Sequence, residues 1–322
     1  MACAYYDLAQ AVAAARPGDT IIMAPGIYER GAVIDIDDLT LQAEPGAHLR
    51  GGAVRGKAAL VVTGARVTID GLECSDIAVR DRNGACIRIE GDDLTVRNVN
   101  FHDNEQGILS GPGGGTLLIE NSTFERNGRD GRAHGVYIGT SVDTFIFRNN
   151  RVLSTQGEGH GVKSRAKKTI IEGNVIASLE GQDSRAIDVP NGGEVVIRNN
   201  VLQKGPNSAN SQMIGLALEG GLHGANDTLI EGNLIIFDRD LPWIGRVLDD
   251  LFAMAPLRGR VILSQSPGVL SLKDNVLVGA KEIGVDGAAK GNVIFRNRKE
   301  ARLPPFPELP TAPPKSAGAG GQ

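Results

Sequence analysis

A short phrase recurs along this chain, and its repetition constrains the fold more than any other feature. Each copy joins an apolar run to a charged residue and then to Asn, Asp or Gly. The clearest copies occupy residues 67–72, 94–99, 117–122 and 145–150. Later copies end at Asn174, Asn200, Asn233 and Asn275. The first five steps between copies are each about 25 residues long and the last two are longer, which is typical of stacked repeats with insertions.

The repeat predicts an all-β fold, a right-handed parallel β-helix in which each coil buries its apolar face only against its neighbours. A β-sandwich also uses short alternating strands, but it does not repeat one phrase in one register. The composition agrees, because 43 glycines and 4% aromatic residues suit many tight turns and few bulky core side chains. We expect one domain over residues 1–302. The Asn that ends the later copies is expected to form structural ladders between rungs.

The two ends of the chain and one insertion depart from the repeat. Residues 8–15 are Ala-rich and predict a short helix that caps the first coil, within an N-terminal cap of residues 1–19. Residues 241–257 have helical apolar spacing and predict a helical insertion. Residues 303–322 are rich in Pro, Ala and Gly, so we expect a disordered tail or an extended strip along the coils.

Charge and hydropathy give no sign of a nucleic-acid or membrane partner. The formal charge is -4 and the pI is about 5.8, so any anion site must be a local cluster of cations. No apolar run approaches the roughly 20 residues that span a bilayer, and the N-terminus lacks the basic and apolar regions of a secretory signal. We expect a monomer that binds neither nucleic acid nor membrane. Its location stays open, although an acidic glycan substrate would place it in the periplasm or outside the cell.

The three cysteines have no metal-binding spacing. Cys3, Cys74 and Cys86 are odd in number, so they leave no complete disulfide framework. We interpret them as small buried residues rather than as redox or nucleophilic groups.

A second strand in each coil predicts which side chains line its outer face. Aligning the coils on their apolar residues gives an inward column of Ile108, Val136, Val162, Ile187 and Leu216. Because side chains alternate along a strand, the next residues should point outward. This outward column is Leu109, Tyr137, Lys163, Asp188 and Ala217. Neighbouring rungs are about 4.8 Å apart, so the polar members of the column should stand side by side.

Two further columns precede the inward one. Immediately before it lie Gly107, Gly135, Gly161, Ala186 and Gly215. This stripe is either a set of turn glycines or a place where a sugar ring approaches the backbone. One position earlier lie Gln106, His134, His160, Arg185 and Ile214. Two of only five histidines share this position, which favours a functional site over a solvated polar face.

Residues 159–166 carry the densest positive charge. Lys163 and Arg165 lie two residues apart on a strand and should project to the same side. Like charges repel unless an anion lies between them, and a uronate carboxylate is the natural candidate. We therefore predict a groove for acidic polysaccharide. The catalytic candidates are Lys163, His160, Tyr137 and Arg185, and the predicted substrate-binding residues are His134, Arg165, Asp188 and Gln106.

These residues resemble those of the pectin-lyase-like β-helix superfamily, whose members mostly cleave, epimerise or bind acidic glycans. The Val-Lys-Ser sequence at 162–164, followed by the phrase at 169–174, is similar to the alginate lyase and chondroitinase B family. The resemblance implies that Lys163 is the catalytic base and that Arg185 is a loose match for an arginine that serves as the acid. It also implies that calcium helps to neutralise the substrate carboxylate. The next rung, residues 187–193, differs in its outward aspartate and has no arginine–histidine pair.

The predicted reaction is β-elimination, in which a base removes the proton beside the uronate carboxylate and an acid protonates the departing oxygen. Cations at the carboxylate stabilise the charge that develops there, a role that suits Arg165 and Arg185. The base stays open among Lys163, His160 and Tyr137. A free lysine has a pKa of about 10.4 and needs neighbouring cations or burial to act, whereas histidine, at about 6.5, is already suited to proton transfer.

Three alternatives stay open. Uronate epimerisation begins with the same proton abstraction, and a non-catalytic glycan-binding or structural solenoid needs no reacting group at all. Glycoside hydrolysis ordinarily needs two carboxyl groups about 5–9.5 Å apart, and the predicted wall offers only Asp188, with Glu158 and Asp183 on turns. No metal site is predicted. Residues 103–105 would offer oxygen ligands to calcium, but a solvated loop is the preferred interpretation.

Overall fold

The computed structural model describes residues 4–239, 259–284 and 289–310, and it confirms the predicted parallel β-helix. Successive coils contribute strands to three sheets, and neighbouring strands within each sheet run parallel. The described residues contain no helix that is long and apolar enough to cross a bilayer.

The strands are numbered in chain order. Among the described residues, sheet 1 contains β1 (Thr20–Met23), β4 (Thr40–Ala43), β7 (Val67–Asp70), β10 (Leu94–Arg97), β13 (Thr116–Glu120), β16 (Thr144–Arg148), β19 (Lys168–Glu172), β22 (Glu194–Arg198), β25 (Thr228–Glu231), β28 (Leu270–Lys273) and β30 (Ala289–Lys290). Sheet 2 contains β2 (Gly26–Tyr28), β5 (Ala47–Arg50), β8 (Glu73–Ser75), β11 (Asn100–His102), β14 (Thr123–Glu125), β17 (Arg151–Leu153), β20 (Val175–Ala177), β23 (Val201–Lys204), β26 (Leu234–Phe237), β29 (Val276–Val278) and β31 (Val293–Phe295). Sheet 3 contains β3 (Ala32–Ile34), β6 (Ala58–Val62), β9 (Ala85–Ile89), β12 (Gln106–Ser110), β15 (Val136–Ile138), β18 (Val162–Ser164), β21 (Ile187–Val189), β24 (Gln212–Leu216) and β27 (Arg260–Ser264).

The core is filled by the inward side chains of the three sheets. In sheet 1, Leu94 of β10 pairs with Leu117 of β13, and both are buried. In sheet 2, the rings of Phe101 and Phe124 pack edge to face with their centroids 5.8 Å apart. A coil buries its apolar face only against the coils before and after it, which is the physical reason for the repeated phrase.

An asparagine ladder lines the turn between sheets 1 and 2, as predicted for these residues. Asn174 Oδ1 accepts a hydrogen bond from Asn150 N at 2.8 Å, and Asn200 Oδ1 accepts one from Asn174 N at 2.9 Å. Each amide also reaches back to the preceding rung, where Asn200 Nδ2 donates to Ile171 O. The same pattern continues through Asn233, Asn275 and Asn292. These amides are satisfied by their neighbours, so the cost of burying them is offset.

The N-terminal helix closes the first coil, as predicted. It is α1 (Leu8–Ala14), and the side chain of Asp7 caps it by accepting a hydrogen bond from Ala9 N at 2.7 Å. Leu8 and Val12 on its inner face are buried in the core. The coils begin at β1, well before the first recognisable copy of the phrase. The turns after β1 and β4 contain Pro-Gly in place of Asn, which hid these coils in the sequence.

Near the C-terminus the chain lies against the outer face of sheet 2. Leu303 and Leu309 pack against buried apolar residues of β23, β26 and β29. Arg298 ties this segment to the coils, because its guanidinium donates to both carboxylate oxygens of Asp238 at 2.7 Å. Residues up to 310 therefore form an irregular strip along the coils. The rest of the predicted tail, and the helical insertion predicted at 241–257, lie outside the described residues.

Two cysteines are joined, so the expectation of separate buried thiols was wrong. Cys74 lies on β8 and Cys86 on β9, and their fully buried side chains form a disulfide. The two residues belong to one coil, with Cα atoms 6.0 Å apart, which is a normal separation for a disulfide. Counting cysteines did not reveal the pair, because Cys3 makes the total odd. Cys3 itself lies outside the described residues.

The Asn200→Ala variant should test the ladder. Removing this amide leaves Asn174 N without its acceptor in the buried turn, and we expect the free energy of unfolding to fall by about 1–3 kcal/mol. Urea unfolding followed by circular dichroism measures the change. The Asn207→Ala variant, at an exposed asparagine, should lose about 0.5 kcal/mol or less. Equal losses in the two variants would contradict a stabilising ladder.

Candidate functional site

The outer face of sheet 3 carries the predicted polar column. Tyr137 pairs with Lys163, and Lys163 pairs with Asp188, so β15, β18 and β21 place these three side chains next to one another. Leu109 of β12 pairs with Tyr137 on one side and with Arg88 of β9 on the other, and this buried leucine separates the two polar side chains.

The predicted alignment of the next rung was wrong by two residues, because Asp188 pairs with Gly215 rather than with Ala217. Ile214 and Leu216 are both buried apolar residues of β24, so apolar spacing could not tell which of them matches the inward residue of β21. Gly215 leaves room for the carboxylate of Asp188. A Cβ at this glycine would lie 2.6 Å from Asp188 Oδ1.

The glycine stripe is structural and offers no platform for a sugar ring. A Cβ on Gly107 would lie 2.4 Å from the carbonyl oxygen of Gly135, and a Cβ on Gly135 would lie 2.4 Å from that of Gly161. A Cβ on Gly161 would lie 2.8 Å from the carbonyl oxygen of Ala186. At these three glycines the neighbouring rung passes too closely for a side chain.

One position before these glycines in each coil, a second ladder of hydrogen bonds links neighbouring rungs. It uses imidazoles where the asparagine ladder uses amides. Gln106 Oε1 accepts a hydrogen bond from His134 N at 3.2 Å. His134 Nδ1 accepts one from His160 N, and His160 Nδ1 accepts one from Arg185 N, both at 3.0 Å. The two rings stack with centroids 5.0 Å apart. Because each Nδ1 is an acceptor, the proton of each neutral imidazole sits on Nε2.

Burial keeps both imidazoles neutral. Burial, with help from the charges of Lys163 and Arg165, lowers the pKa of His134 to about 3. Burial, with the neighbouring His134 and Lys163, lowers the pKa of His160 well below its usual range. Gln106, predicted to contact substrate, is fully buried, and its Nε2 donates to a carbonyl of its own strand. It therefore starts the ladder and does not reach the outer surface.

Lys163 stands at the centre of the charged cluster. Its Nζ lies 3.5 Å from Asp188 Oδ2 and 2.8 Å from Glu219 Oε1. Only 10% of the Lys163 side chain is exposed. Ion pairs with these two carboxyl groups hold the amine in a fixed position.

Glu219 completes the cluster, and it was not predicted from the sequence. It lies on the loop of residues 217–223 that follows β24, and its backbone N donates to Pro190 O. Its carboxylate contacts both Lys163 and Arg165. Glu219 is thus the anion between Lys163 and Arg165. A substrate carboxylate was predicted at this position. No repeat position marks this residue, because it lies in a loop.

Arg165 links the charged cluster to Tyr137. Its Nε donates to Tyr137 Oη at 2.9 Å, its Nη1 donates to Asn191 Oδ1 at 2.6 Å, and its Nη2 contacts Glu219. Asn191 is held in turn by its Nδ2, which donates to loop carbonyls. The Lys163 ammonium lies 5.8 Å from the centre of the Tyr137 ring. Tyr137 is half-buried, and the guanidinium carbon of Arg165 also lies 5.8 Å from the centre of its ring.

Asp188 forms the buried end of the cluster. Arg185 Nη1 donates to Asp188 Oδ1 at 3.1 Å, and Gln212 Oε1 fixes the guanidinium by accepting from its Nε and Nη2. Asp188 Oδ2 is buried without a hydrogen-bond partner among the described residues, with His160 Nε2 and Lys163 Nζ each 3.5 Å away. Burial raises the pKa of Asp188, and the charges of Arg185 and Lys163 oppose that rise.

The pKa values of the two carboxyl groups of the cluster shift in opposite directions. Burial opposes the charge of Glu219, but hydrogen bonds from Lys163 and Arg165 outweigh it and lower the pKa of this carboxyl. The pKa of Asp188 moves in the opposite direction. Both groups contact the same Lys163 nitrogen, at 3.5 and 2.8 Å, so their nearest oxygens lie within about 6.3 Å of each other. Two carboxyl groups with opposed shifts are typical of an acid paired with a base.

The acidic turn considered for calcium is occupied by the protein's own donors. Arg126 Nε and Nη2 donate to the two oxygens of Asp103, each at 2.7 Å. Glu105 Oε2 accepts hydrogen bonds from two backbone N–H groups. Asn104 and Glu105 are buried, so this turn is not the solvated loop expected from the sequence.

Comparison with known proteins places the chain by its fold. Residues 46–202 match the family model described as "Right handed beta helix region". The chain is a right-handed parallel β-helix protein. This result confirms the predicted handedness and fold class. A search of curated proteins finds no match by sequence.

Several solved structures are similar to this chain at low identity. An alginate lyase of the PL6 family is 14% identical with a TM-score of 0.44, and the match covers 93% of this chain and 51% of that chain. A pectate lyase is 14% identical with a TM-score of 0.45, covering 83% and 73%. The A-module of a mannuronan C-5 epimerase from Azotobacter vinelandii is 14% identical with a TM-score of 0.45, covering 89% and 93%. This chain therefore spans about half of the alginate lyase.

The His134→Gln variant should show that the imidazole ladder makes the protein sensitive to acid. Because burial lowers the pKa of His134 to about 3, against about 6.5 in the unfolded chain, its contribution to stability is complete above pH 6.5 and is lost towards pH 3. Between about pH 7 and pH 4, the native protein should lose about 3 kcal/mol more than the variant. Glutamine keeps an acceptor for the next rung, as Gln106 does. Urea unfolding of both proteins at each pH measures the difference, and equal losses would contradict it.

Proposed function

We propose that this protein is a carbohydrate-active enzyme that cleaves a uronate-containing polysaccharide by β-elimination on the outer face of sheet 3. The observation that carries the proposal is the charge of the cluster. Three cations, Lys163, Arg165 and Arg185, surround two carboxyl groups, and burial favours the neutral form of one of them, Asp188. The excess positive charge suits an anionic sugar.

Tyr137 is the proposed base. Arg165 Nε donates to its hydroxyl oxygen, so negative charge on that oxygen is stabilised while a proton is transferred. Once Tyr137 has given its own proton to solvent, its phenolate oxygen takes the proton beside the substrate carboxylate, and the bond to the glycosidic oxygen breaks. The departing oxygen takes that proton back from Tyr137, and a double bond remains in the sugar. One residue thus serves as base and then as acid.

Lys163 and His160 suit supporting roles better than that of the base. The Nζ of Lys163 is held in ion pairs with Asp188 and Glu219, so its position suits contact with a substrate anion better than proton abstraction. The Nδ1 of His160 already accepts a backbone hydrogen bond, and its Nε2 carries the proton. We assign Lys163 and Arg165 to the substrate carboxylate, and we assign Arg185 to the orientation of Asp188.

In this proposal Glu219 is a counter-ion that the substrate replaces. Its carboxylate binds the same two cations that would hold a uronate. The loop that carries it is at the surface, and 45% of the Glu219 side chain is exposed, so the side chain has room to move aside. A structural disulfide is typical of oxidising compartments, which agrees with a substrate in the periplasm or outside the cell.

Glycoside hydrolysis is the second candidate, and the carboxyl pair favours it. The nearest oxygens of Asp188 and Glu219 lie within about 6.3 Å, and the opposed pKa shifts suit an acid and a base. Against this candidate, Asp188 is only 1% exposed and lies beneath Lys163 and His160, where a glycosidic oxygen has little access. We therefore rank hydrolysis below elimination.

The Tyr137→Phe variant tests the proposed base. Phenylalanine keeps the ring but removes the proton-accepting oxygen, so kcat should fall by about 100- to 10,000-fold with little change in KM. The native protein and the variant are assayed on alginate, pectate, glucuronan and glycosaminoglycans, by the ultraviolet absorbance of unsaturated ends. The Tyr6→Phe variant, at an exposed tyrosine outside the groove, should keep full activity. Unchanged activity of Tyr137→Phe would remove this residue from the mechanism.

The Glu219→Gln variant separates the candidate reactions. For a lyase, loss of the counter-ion should lower KM for the polysaccharide and leave kcat within about tenfold. For a hydrolase, the native protein should release reducing ends that carry no double bond. Loss of the carboxylate should abolish that release. An altered sugar without chain cleavage would indicate an epimerase, and tight binding without turnover a binding protein. The Glu194→Gln variant, at a lysine–glutamate pair on sheet 1, is the matched control.

A further inference from the structure

We infer that His48, Glu73 and His102 form a binding site for a transition-metal ion on the outer face of sheet 2. One possible ligand atom from each of the three side chains lies within 4.8 Å of the others, and all three residues are partly buried. They come from β5, β8 and β11, which are consecutive strands of the sheet. The groove proposed for polysaccharide lies on sheet 3, so this site is independent of the proposed function.

Hydrogen bonds fix the ring of His48 in a form that binds metal. Ser75 Oγ donates its proton to Asp76 Oδ2 at 2.9 Å. The same Ser75 oxygen, 2.9 Å from His48 Nε2, therefore accepts a proton from that nitrogen. The electron pair of His48 is then left on Nδ1. A histidine that donates one ring proton to a fixed acceptor and keeps the other nitrogen open is typical of metal ligands.

His102 is arranged in the same way. Its Nδ1 lies 2.7 Å from Asp103 Oδ2, and Arg126 holds that carboxylate in place by donating to both of its oxygens at 2.7 Å. With the proton of Nδ1 directed at Asp103, the other nitrogen, Nε2, faces Glu73 Oε1 at 3.2 Å. Two electron-rich atoms at that distance need a positive charge, which either a second ring proton or a bound cation supplies.

Glu73 differs from the carboxylates around it in the partners it faces. Asp70 pairs with Arg97, and Glu120 pairs with Arg148, each within 2.9 Å. Within the part of the chain that the structure describes, the ion pair of Glu73 is with the imidazole of His102. A carboxylate between two imidazoles lacks the permanent cation of its neighbours and is available to a metal ion.

The ligand types select the class of ion. Two imidazole nitrogens and one carboxylate oxygen suit Zn²⁺, Co²⁺, Ni²⁺ or Cu²⁺, whereas Ca²⁺ and Mg²⁺ prefer oxygen ligands alone. Three protein ligands leave at least one position for water. Because the ligands belong to three consecutive strands, a bound ion would join three coils and stabilise the folded chain.

Zinc titration of the full chain tests the site. After dialysis against a chelator, isothermal titration should show one equivalent of Zn²⁺ per chain, and Ca²⁺ should not compete. Co²⁺ should give absorption bands of a low-coordinate nitrogen and oxygen site. His48→Ala, His102→Ala and Glu73→Gln should each weaken Zn²⁺ binding by at least about tenfold, and Ser75→Ala, which removes the partner of His48, by about 10- to 100-fold.

A matched variant and a stability measurement complete the test. Glu125→Gln changes a carboxylate on the next strand that pairs with Arg126, and it should bind Zn²⁺ as the native protein does. Zn²⁺ should raise the melting temperature of the native chain and of Glu125→Gln, but not of His102→Ala. The inference is overturned if Zn²⁺ does not bind, if the three ligand variants bind it unchanged, or if Ca²⁺ binds equally well. None of these readouts depends on activity towards polysaccharide.

Discussion

In-register pairing of parallel strands from coil to coil is the interaction on which the rest of this structure depends. It brings Tyr137, Lys163 and Asp188 together although each lies about 25 residues from the next. A slip of one residue would turn each of these side chains into the core. The asparagine and imidazole ladders guard against such a slip, because their buried polar groups find partners only in the observed register.

Much of the fold and part of the candidate site followed from the sequence, because both depend on equivalent positions in successive coils. The period indicated the solenoid, and alternation along each strand indicated that Tyr137, Lys163 and Asp188 share one face. The same reasoning failed at β24. Two inward apolar residues, Ile214 and Leu216, lie two positions apart there, and either satisfies the alternation. A repeat specifies position only where the pattern is unambiguous.

Contacts that do not link equivalent positions could not be predicted in this way. Glu219 reaches Lys163 from a loop, and Cys74 meets Cys86 within a single coil. The pKa of Asp188 depends on its burial and on the cations around it, so it is a property of the folded cluster and not of the residue alone. These features changed the interpretation of the site most, since Glu219 both neutralises the two cations and provides a second carboxyl group.

The two histidines of the imidazole ladder have a structural role and also line the candidate site. The Nδ1 atoms of His134 and His160 each accept a hydrogen bond from the backbone of the next rung. The remainder of each ring faces the charged cluster. An alanine at either position would remove a structural acceptor together with the imidazole, so a loss of activity could not be attributed to chemistry. Gln106, His134 and His160 therefore share a requirement for a side-chain acceptor of suitable length, whereas Arg185 at the end of the ladder does not. Substitutions that change specificity are therefore expected in the loop of residues 217–223 and at the strand residues beside it, because these side chains supply no acceptor to the ladder.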